Sequence, residues 1–193
     1  MEPMAKFAEL LEQARKTPGI AEPTGMTLAT VSADGRPSVR IVLLKDSDAD
    51  SLVFYTNYTS KKGREILARP EVALLFWGQP LEVQVRFEGR AVQVSPAEAD
   101  AYFATRPRIS QLGAWASHQS QPLLAREQLL QRYAALEKQH AGKPVPRPPH
   151  WGGYRVAPVL VEFWKNGEGR LHQREQYTRA TPSAPWAMTL LNP

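Results

Sequence analysis

The amino-acid sequence predicts a mainly β protein, an antiparallel barrel with peripheral α-helices. Short apolar runs with strand-like alternation follow one another between tight turns. Segments with helical spacing lie between some of these runs, without the regular strand–helix alternation of a doubly wound sheet. The length of 193 residues suits a single domain, residues 1–193, that can bury a sizeable core.

Residues 1–20 are predicted to form an N-terminal helix, which Pro18 and Gly19 end. Its apolar residues at helical spacing are Phe7, Leu10, Leu11 and Ala14. Residues 26–94 are predicted to hold the main barrel strands. The expected strands are Met26–Ser32, Ser38–Lys45, Leu52–Thr56, Val72–Trp77, Leu81–Phe87 and Ala91–Val94.

Three local signals accompany these strands. Asp34-Gly35 lies between the first two strands and is typical of a tight hairpin turn. Ser60 is placed to cap a short helix, Lys61–Ala68, that follows the third strand. Gly89 predicts a bulge or a bend between the last two strands of this region.

Residues 95–142 are predicted to form a helical insertion. Ser95 as the N-cap and Glu98 three residues later indicate a helix start. A longer amphipathic helix is expected from about Pro122 to His140. Residues 151–193 are predicted to carry the C-terminal strands. These are expected at Tyr154–Trp164, Leu171–Thr178 and Trp186–Leu190.

The composition excludes several classes of site. Without cysteine the chain has no disulfide, thiolate metal site or cysteine nucleophile, and a cytoplasmic location is expected. The four histidines lack metal-ligand spacing, so no metal is expected. No run approaches the ~18 apolar residues of a membrane span, and the N-terminus lacks the pattern of a signal peptide. The sequence contains neither a P-loop nor a GxGxxG motif.

The charge pattern points to anionic small molecules. A net charge of +5 and a pI near 9.6 fit nucleic acid and anionic ligands equally well. The basic residues occur in small groups beside turns and strand ends, which favours discrete phosphate sites over a continuous groove. We therefore expect neither a nucleic-acid partner nor a membrane partner.

Two of the four basic clusters lie on predicted strands. Arg170, His172 and Arg174 would project from one face of a strand, because successive side chains alternate between faces. Arg40 and Lys45 are five residues apart and would lie on opposite faces. They could serve one bound molecule only if a bulge intervenes or if they reach different parts of it.

The other two clusters lie near helix ends. Lys61 and Lys62 occupy the first turn of a predicted helix, where free N–H groups and the positive end of the dipole favour an anion. Lysine side chains at a helix N-terminus are unfavourable unless an anion binds beside them. We therefore interpret this cluster as an anion site. Tyr102 and Arg106 would share a helical face and, with Ser110, could cradle a phosphate. Such a pair is also common on ordinary helices.

The chain offers many anion donors and little acid–base machinery, which favours a bound cofactor that carries the chemistry. Its motifs together resemble the pyridoxine/pyridoxamine 5′-phosphate oxidase family, in order from about Met26 to Thr178. The matching segments are Arg40–Lys45, Phe54–Asn57, Ser60–Lys62, Leu81–Val85, Tyr102–Pro107, Ser110–Trp115, Gln119-Ser120, Trp151–Gly153, Glu162–Trp164 and Arg170–Arg174.

The resemblance implies an antiparallel Greek-key split β-barrel that works as a homodimer, with FMN in the cleft between the subunits. The FMN-binding residues that it implies are Arg40, Ile41, Val42, Leu43, Leu44, Lys45, Tyr55, Thr56, Lys61, Lys62, Gln84, Gln119, Ser120, Trp164 and Arg174. The residues that it implies for the phosphate of the substrate are Lys45, Tyr102, Arg106 and Ser110. Arg170 and His172 would face the substrate ring as catalytic residues.

The implied reaction passes a hydride equivalent from the C4′ carbon of pyridoxine 5′-phosphate or pyridoxamine 5′-phosphate to FMN. Dioxygen then reoxidises the flavin. The products are pyridoxal 5′-phosphate and hydrogen peroxide, with ammonia from the amine substrate.

Three features depart from the family pattern. The longer N-terminal segment that folds over the substrate in family members is expected to be absent or replaced here. Leu190 stands where the C-terminal Arg-Leu-x-Pro motif has its arginine, and Gln173 stands where an acidic residue is common. These departures concern substrate affinity and specificity more than flavin binding.

Two alternatives stay open from the sequence. One is a related split-barrel flavoenzyme that acts on another substrate, such as a phenazine-biosynthesis oxidase. Such an enzyme would be expected to lack the phosphate-cradle residues present here. The other is a non-catalytic module that binds flavin or nucleic acid. Flavin absorbance of the purified protein would separate such a module from the enzymes, and salt-sensitive DNA binding without flavin would support it.

Overall fold

Antiparallel pairing closes six strands into a barrel in the computed structural model, which describes residues 2–193. The strands are β1 (Gly25–Val31), β2 (Pro37–Ser47), β3 (Leu52–Asn57), β4 (Glu71–Gly78), β5 (Val83–Gln93), β6 (Trp151–Lys165), β7 (Gln173–Thr178) and β8 (Ala187–Leu190). Hydrogen-bonded neighbours follow the order β3-β2-β1-β4-β5-β6-β7-β8, and β3 also pairs with β6. This arrangement confirms the predicted antiparallel barrel.

The helices lie between the strands in sequence. They are α1 (Pro3–Lys16), α2 (Lys61–Ala68), α3 (Pro96–Thr105), α4 (Arg108–Ala116) and α5 (Arg126–Gln139), with 3₁₀ turns at Gln79–Leu81 and Glu168–Arg170. Within residues 2–193, no helix combines the length and the apolar character needed to cross a bilayer. Strand pairing and element order give the β-barrel with peripheral helices that the sequence predicts.

Phe7 of α1 packs into the barrel core. Its ring is fully buried and meets Phe76 of β4 and Phe87 of β5 edge-on, with centroids 5.7 and 4.8 Å apart. Lys6, its neighbour, donates a hydrogen bond of 2.6 Å to Glu175 Oε2 on β7. Edge-to-face rings contribute ~0.5–1.5 kcal/mol beyond their burial. These contacts attach α1 to strands from both halves of the chain.

The first half of the chain forms its local structures as predicted. The β1–β2 hairpin turns at Gly35, whose φ of 86° suits a residue without a side chain. α2 spans the predicted Lys61–Ala68. Ser60 Oγ caps it by accepting a hydrogen bond of 3.3 Å from the Gly63 N–H.

The predicted irregularity at Gly89 lies opposite a β-bulge, whose extra residue is Val159 of β6. The register between β5 and β6 shifts between Glu88 and Gly89. A Cβ atom on Gly89 would lie 2.3 Å from the carbonyl oxygen of Ala157. Because no side chain fits there, glycine allows the two strands to stay paired through the bulge.

The predicted elements do not include α4. Pro107 predicts a helix end, and it does follow the end of α3, but it is also the N-cap residue of α4. The first residues of a helix have no intrahelical partner for their N–H groups, so a proline there loses nothing. Buried Leu112 and Ala116, four residues apart, were the available signal for this helix.

The strands predicted at Leu81–Phe87 and Ala91–Val94 are one strand, β5, which begins only at Val83 because Gln79–Leu81 forms a 3₁₀ turn.

Other predicted boundaries are wrong as well. The long helix begins at Arg126 and not at Pro122; Leu124, just before it, is 92% exposed, so no packing favours an earlier start. β6 begins at Trp151, where it pairs with β3. β7 begins at Gln173 because the preceding residues form a 3₁₀ turn.

Candidate active site

A cleft of about 500 Å³ lies between β2, β3, the helices α3 and α4 and the start of β6. It contains residues from three of the four basic clusters in the sequence. The predicted site residues that line it are Ile41, Val42, Leu43, Lys45, Tyr55, Thr56, Lys62, Tyr102, Arg106, Ser110 and Gln119. The structure therefore brings residues implied for FMN and residues implied for the substrate phosphate to one cavity.

The cleft lies at the seam where β3 and β6 close the barrel. Tyr55 pairs with Gly153, and Thr56 pairs with Gly152. A Cβ on Gly152 would lie 2.1 Å from the hydroxyl oxygen of Tyr58, and a Cβ on Gly153 would lie 2.8 Å from Cε1 of Tyr55. Because both glycines lack a side chain, the two tyrosine rings can lie against β6.

One face of β2 forms a wall of the cleft. Ile41 and Leu43 are exposed, whereas Val42 and Leu44 have buried side chains in the core. Val42 also lines the cleft. The pairing of β2 with β3 has a bulge at Lys45, which lines the cleft with Ile41 and Leu43. Leu44, an implied FMN residue, does not line the cleft.

Arg40 does not line the cleft either. Its guanidinium donates hydrogen bonds to Thr30 Oγ1 (2.5 Å), Ser38 Oγ (2.6 Å) and Oε2 of the buried Glu65 (3.0 Å). Burial raises the pKa of Glu65, but hydrogen bonds from Thr30, Ser38 and Arg40 hold it below its ordinary value. Arg40 is therefore a fixed positive charge that is paired with a carboxylate.

Lys62 reaches the cleft from the first turn of α2. Its Nζ donates hydrogen bonds to Thr56 Oγ1 at 3.2 Å and to Gln119 Oε1 at 3.1 Å. Burial, followed by the charge of Arg40, lowers the pKa of this ammonium group. A bound anion would offset both effects, and the helix N-terminus would favour it as well.

Two implied FMN residues flank this part of the cleft without lining it. The Lys61 side chain is mostly exposed, and its Nζ lies 3.7 Å from Glu65 Oε1. Ser120 has a φ of 67° within a turn in which the Gln121 N–H donates to the His118 carbonyl. The predicted role of these two side chains stays a prediction.

Three stacked aromatic rings form another wall. Tyr55 and Tyr102 have centroids 3.9 Å apart, and Trp151 lies 5.4 Å from Tyr55. The Arg106 guanidinium lies over Trp151, 4.5 Å from the ring centroid. Its Nη1 atom is buried and has no hydrogen-bond partner within residues 2–193. A buried donor without a partner is costly, so an anion in the cleft would be bound favourably.

Arg106 does not form the predicted helical pair with Tyr102. α3 ends at Thr105, and Arg106 is extended with a ψ of 145° because Pro107 disfavours the helical conformation before it. Ser110 lies in the first turn of α4. Tyr102, Arg106 and Ser110 do meet in the cleft, but two helices and their junction position them.

The two stacked phenols are protonated at neutral pH. Burial, followed by the charge of Glu98, raises the pKa of Tyr55 to about 12. Burial also raises the pKa of Tyr102, although Arg106 acts in the opposite direction. Both hydroxyl groups can therefore donate a hydrogen bond to an anion.

The remaining implied FMN residues form a strand row, Gln84, Trp164 and Arg174, on β5, β6 and β7. They stand opposite one another in register, so their side chains share a face of the sheet. The His172 ring lies 4.6 Å from Trp164. Within residues 2–193, neither the strand row nor His172 nor Arg170 lines the cleft.

The predicted common strand face of Arg170, His172 and Arg174 is wrong. Arg170 ends a 3₁₀ turn with a φ of 64°, and β7 begins only at Gln173. Strand alternation therefore applies to Arg174 alone. Arg170 is exposed, and His172 is held against Trp164 while its Nδ1 accepts a hydrogen bond of 3.2 Å from a backbone N–H.

Arg174 is fixed by the buried carboxylate of Glu162. Glu162 Oε1 accepts hydrogen bonds from Nε (2.9 Å) and Nη2 (2.7 Å) of Arg174, and Oε2 accepts one of 2.6 Å from Arg86. Burial raises the pKa of Glu162, but the bonds from Arg174 and Arg86 hold it below its ordinary value. The carboxylate is therefore charged at neutral pH.

Sequence reasoning missed three residues that contact the predicted arginines: Glu65, Glu162 and Trp151. Glu65 lies four residues after Lys61, and Glu162 lies two residues before Trp164, so spacing puts each on the face of an implied site residue. Trp151 precedes the two glycines of the seam. The same spacings are common in ordinary helices and strands, which is why they predict little alone.

Two family models match the chain. The model described as pyridoxamine 5′-phosphate oxidase matches residues 11–140. The model described as the pyridoxine 5′-phosphate oxidase C-terminal dimerisation region matches residues 151–193. Together they cover most of the sequence, including both sides of the cleft.

Curated relatives extend over the whole chain. The pyridoxine/pyridoxamine 5′-phosphate oxidase of Myxococcus xanthus (strain DK1622) is 54% identical over 192 residues, which cover 100% of this chain and 92% of the relative. The enzyme of the same name from Rubrobacter xylanophilus is also 54% identical over 192 residues, covering 100% of this chain and 87% of the relative.

Solved structures share the fold. PhzG from Burkholderia lata 383, in complex with tetrahydrophenazine-1-carboxylic acid, has a TM-score of 0.92 and 33% identity, covering 100% of this chain and 93% of PhzG. A pyridoxamine 5′-phosphate oxidase-related, FMN binding protein from Nostoc punctiforme has a TM-score of 0.77 and 20% identity, covering 98% and 96%. The second likeness concerns the fold alone.

The Glu162 carboxylate should make the stability of the protein depend on pH. Because its pKa is lower in the folded chain, its contribution is present above the unfolded value of about 4.3 and is lost as pH falls below it. We expect Glu162→Gln to lower the free energy of unfolding at pH 7 by about 1.5–3 kcal/mol, the range for hydrogen bonds to charged groups. The difference from wild type should shrink as pH falls through 4.

Urea unfolding at a fixed protein concentration would measure this difference. Glu71→Gln is the matched control, because Glu71 forms an exposed ion pair with Arg90 and should change stability by less than about 1 kcal/mol. A loss for Glu162→Gln that is constant from pH 7 to pH 3 would contradict the role of this charge.

Proposed function

Because the chain belongs to the pyridoxamine 5′-phosphate oxidase family, we propose that it oxidises pyridoxine 5′-phosphate and pyridoxamine 5′-phosphate to pyridoxal 5′-phosphate. FMN is the cofactor and dioxygen the final acceptor. The single observation that carries the proposal is Arg106, whose buried Nη1 lacks a partner within residues 2–193, in a cleft lined also by Lys45, Tyr102 and Ser110.

The residues of the cleft fit FMN. When bound, FMN accepts a hydride equivalent from the substrate and is reoxidised by dioxygen, which becomes hydrogen peroxide. Lys62, Thr56 and Gln119 form a hydrogen-bonded group at the N-terminus of α2, where an anion is favoured. Ile41 and Leu43 supply exposed apolar side chains against which a planar ring system can lie.

We assign the substrate phosphate to a second group of residues that line the cleft. Arg106 and Lys45 supply positive charge, while the Tyr102 phenol and the Ser110 hydroxyl donate hydrogen bonds. These interactions hold the substrate equally in its ground state and transition state, so their main effect is on binding.

A second copy of the chain completes the site in this proposal. The strand row and His172 do not line the cleft of their own chain, described over residues 2–193, although the family resemblance assigns them to FMN and the substrate ring. The match of residues 151–193 to a dimerisation region supports a homodimer. Val39, Ile41 and Leu43 give β2 an exposed apolar stripe beside the cleft, which a partner would cover.

The likeness to PhzG favours a second candidate, oxidation of an unphosphorylated aromatic acid, because that structure holds tetrahydrophenazine-1-carboxylic acid. A carboxylate could also bind Arg106. The higher identity to the pyridoxine/pyridoxamine 5′-phosphate oxidases and the four donor residues that line the cleft favour the phosphorylated vitamers.

We expect the FMN-loaded protein to consume dioxygen and form pyridoxal 5′-phosphate with both phosphorylated vitamers. An oxygen electrode and the absorbance of the product would measure turnover. Unphosphorylated pyridoxine should have a kcat/KM at least about a hundredfold lower, because charge-assisted phosphate contacts are worth ~1.5–3 kcal/mol each. Protein that binds FMN but turns over neither vitamer would refute the proposal.

Arg106 and His172 should affect different kinetic constants. Arg106→Ala removes a phosphate contact and should raise KM roughly tenfold to a hundredfold with little change in kcat. His172→Ala should lower kcat, because the ring that aligns the substrate for hydride transfer is lost. Steady-state kinetics on flavin-replete protein would measure both, with Arg108→Ala as the control, since Arg108 donates only to backbone carbonyls outside the cleft. Loss of FMN from either variant would contradict the assignment.

Mixed dimers should test whether two chains build each site. If Arg106 of one chain and His172 of the other form one site, a dimer of an Arg106→Ala chain and a His172→Ala chain contains one intact site. Refolding the two variants together at random should then make up to one quarter of all sites intact. These sites should show the wild-type KM and contribute up to one quarter of the wild-type kcat. If the mixture shows only the sum of the two variants, each site belongs to a single chain.

A further inference from the structure

Trp151 contacts three side chains of the proposed site. Its ring is nearly parallel to those of Tyr55 and Tyr102, at 5.4 and 6.2 Å between centroids. The guanidinium carbon of Arg106 lies 4.5 Å from its centroid. Phe103 meets the ring edge-on at 5.1 Å, and only 6% of Trp151 is exposed. The indole is therefore held in one orientation by its neighbours.

Arg40, Arg174 and Arg106 are held in two different ways. Glu65 accepts a hydrogen bond from Arg40, and Glu162 accepts two from Arg174, so a buried carboxylate balances each charge. Arg106 forms no ion pair with any residue in the range 2–193, and its Nη1 donates no hydrogen bond there. Aromatic rings, and not an anion of the protein, fix this guanidinium.

This difference has a chemical consequence. A carboxylate partner occupies N–H donors and neutralises the charge, whereas a ring face attracts the cation and leaves its N–H edge open. A guanidinium held over Trp151 therefore keeps its charge, and its Nη1 donor is not used by any residue in the range 2–193. Its fixed position also reduces the side-chain entropy that is lost when the anion binds.

We propose that Trp151 is a positioning residue for the substrate phosphate: its ring face holds Arg106 in place without occupying the donors that bind the anion. The inference rests on the proposed function, in which Arg106 binds the phosphate of a pyridoxine vitamer. Trp151 itself lines the cleft, and in this proposal it acts on the phosphate through Arg106. Its effect is therefore on binding of the phosphate and not on the hydride transfer.

Trp151→Leu keeps apolar volume but removes the ring face. We expect it to raise KM for pyridoxine 5′-phosphate roughly threefold to thirtyfold, the range of a cation–π contact, with kcat unchanged. Trp151→Phe keeps a ring face and should recover much of the loss. In the Arg106→Ala background, Trp151→Leu should raise KM no further, because the residue through which it acts is gone.

Trp115→Leu is the matched control. Trp115 packs in the same hydrophobic cluster, but it donates to the Pro146 carbonyl and does not line the cleft. Its loss should lower stability without changing KM. Titration of the FMN-loaded protein with inorganic phosphate provides a second readout that needs no turnover, and Trp151→Leu should weaken this binding by the same factor.

The outcomes separate the two proposals. If the wild type turns over neither vitamer, the proposed function fails, and the phosphate titration still tests Trp151. If the wild type is active but Trp151→Leu matches it in KM and in phosphate affinity, the inference about Trp151 is wrong. It is also wrong if Trp151→Leu raises KM equally in the Arg106→Ala background, or if Trp115→Leu has the same effect as Trp151→Leu.

Discussion

The pairing of β3 with β6 is the constraint on which the rest of this structure depends. It closes the barrel, and it sets Tyr55 and Thr56 beside Gly153 and Gly152. Without side chains on those glycines, the rings of Tyr55 and Tyr58 lie against β6, and Tyr55 stacks on Trp151, the first residue of that strand. The same hydrogen bonds that complete the barrel core thus assemble one wall of the cleft. Stability and site geometry share one set of contacts here.

The electrostatics of the cleft follow from where the carboxylates lie. Buried Glu65 neutralises Arg40, and buried Glu162 neutralises Arg174. These ion pairs make the high density of positive charge compatible with a folded chain. Arg106 lies against the rings of Phe103 and Trp151 and has no ion-pair partner within the described residues, so its charge is not neutralised by the protein. The protein therefore contains arginines that organise the fold and an arginine suited to a ligand, distinguished by what lies beside the guanidinium.

Much of this arrangement could be predicted from sequence, and the failures have physical causes. The strand alternation and the Ser60 cap depend on local chemistry, so local patterns predicted them. The start of β7 did not follow alternation, because Gly169 and Arg170 adopt positive φ in a turn that no charge pattern reveals. Family resemblance named cleft residues that lie far apart in sequence, but it could not show that rings hold Arg106 while a carboxylate holds Arg40. Such pairings depend on tertiary contacts.

The seam between β3 and β6 also bears on how the chain acquires its structure during synthesis. The Tyr58 hydroxyl donates to the Gly153 carbonyl across 95 positions of sequence. The first five strands can pair soon after they leave the ribosome, but the barrel stays open until β6 emerges behind the three helices of the insertion. Long-range closures of this kind are slow, and an open sheet edge is prone to association with other chains. The helical insertion thus sets a waiting time during which the unpaired edge of β3 is exposed in the nascent protein.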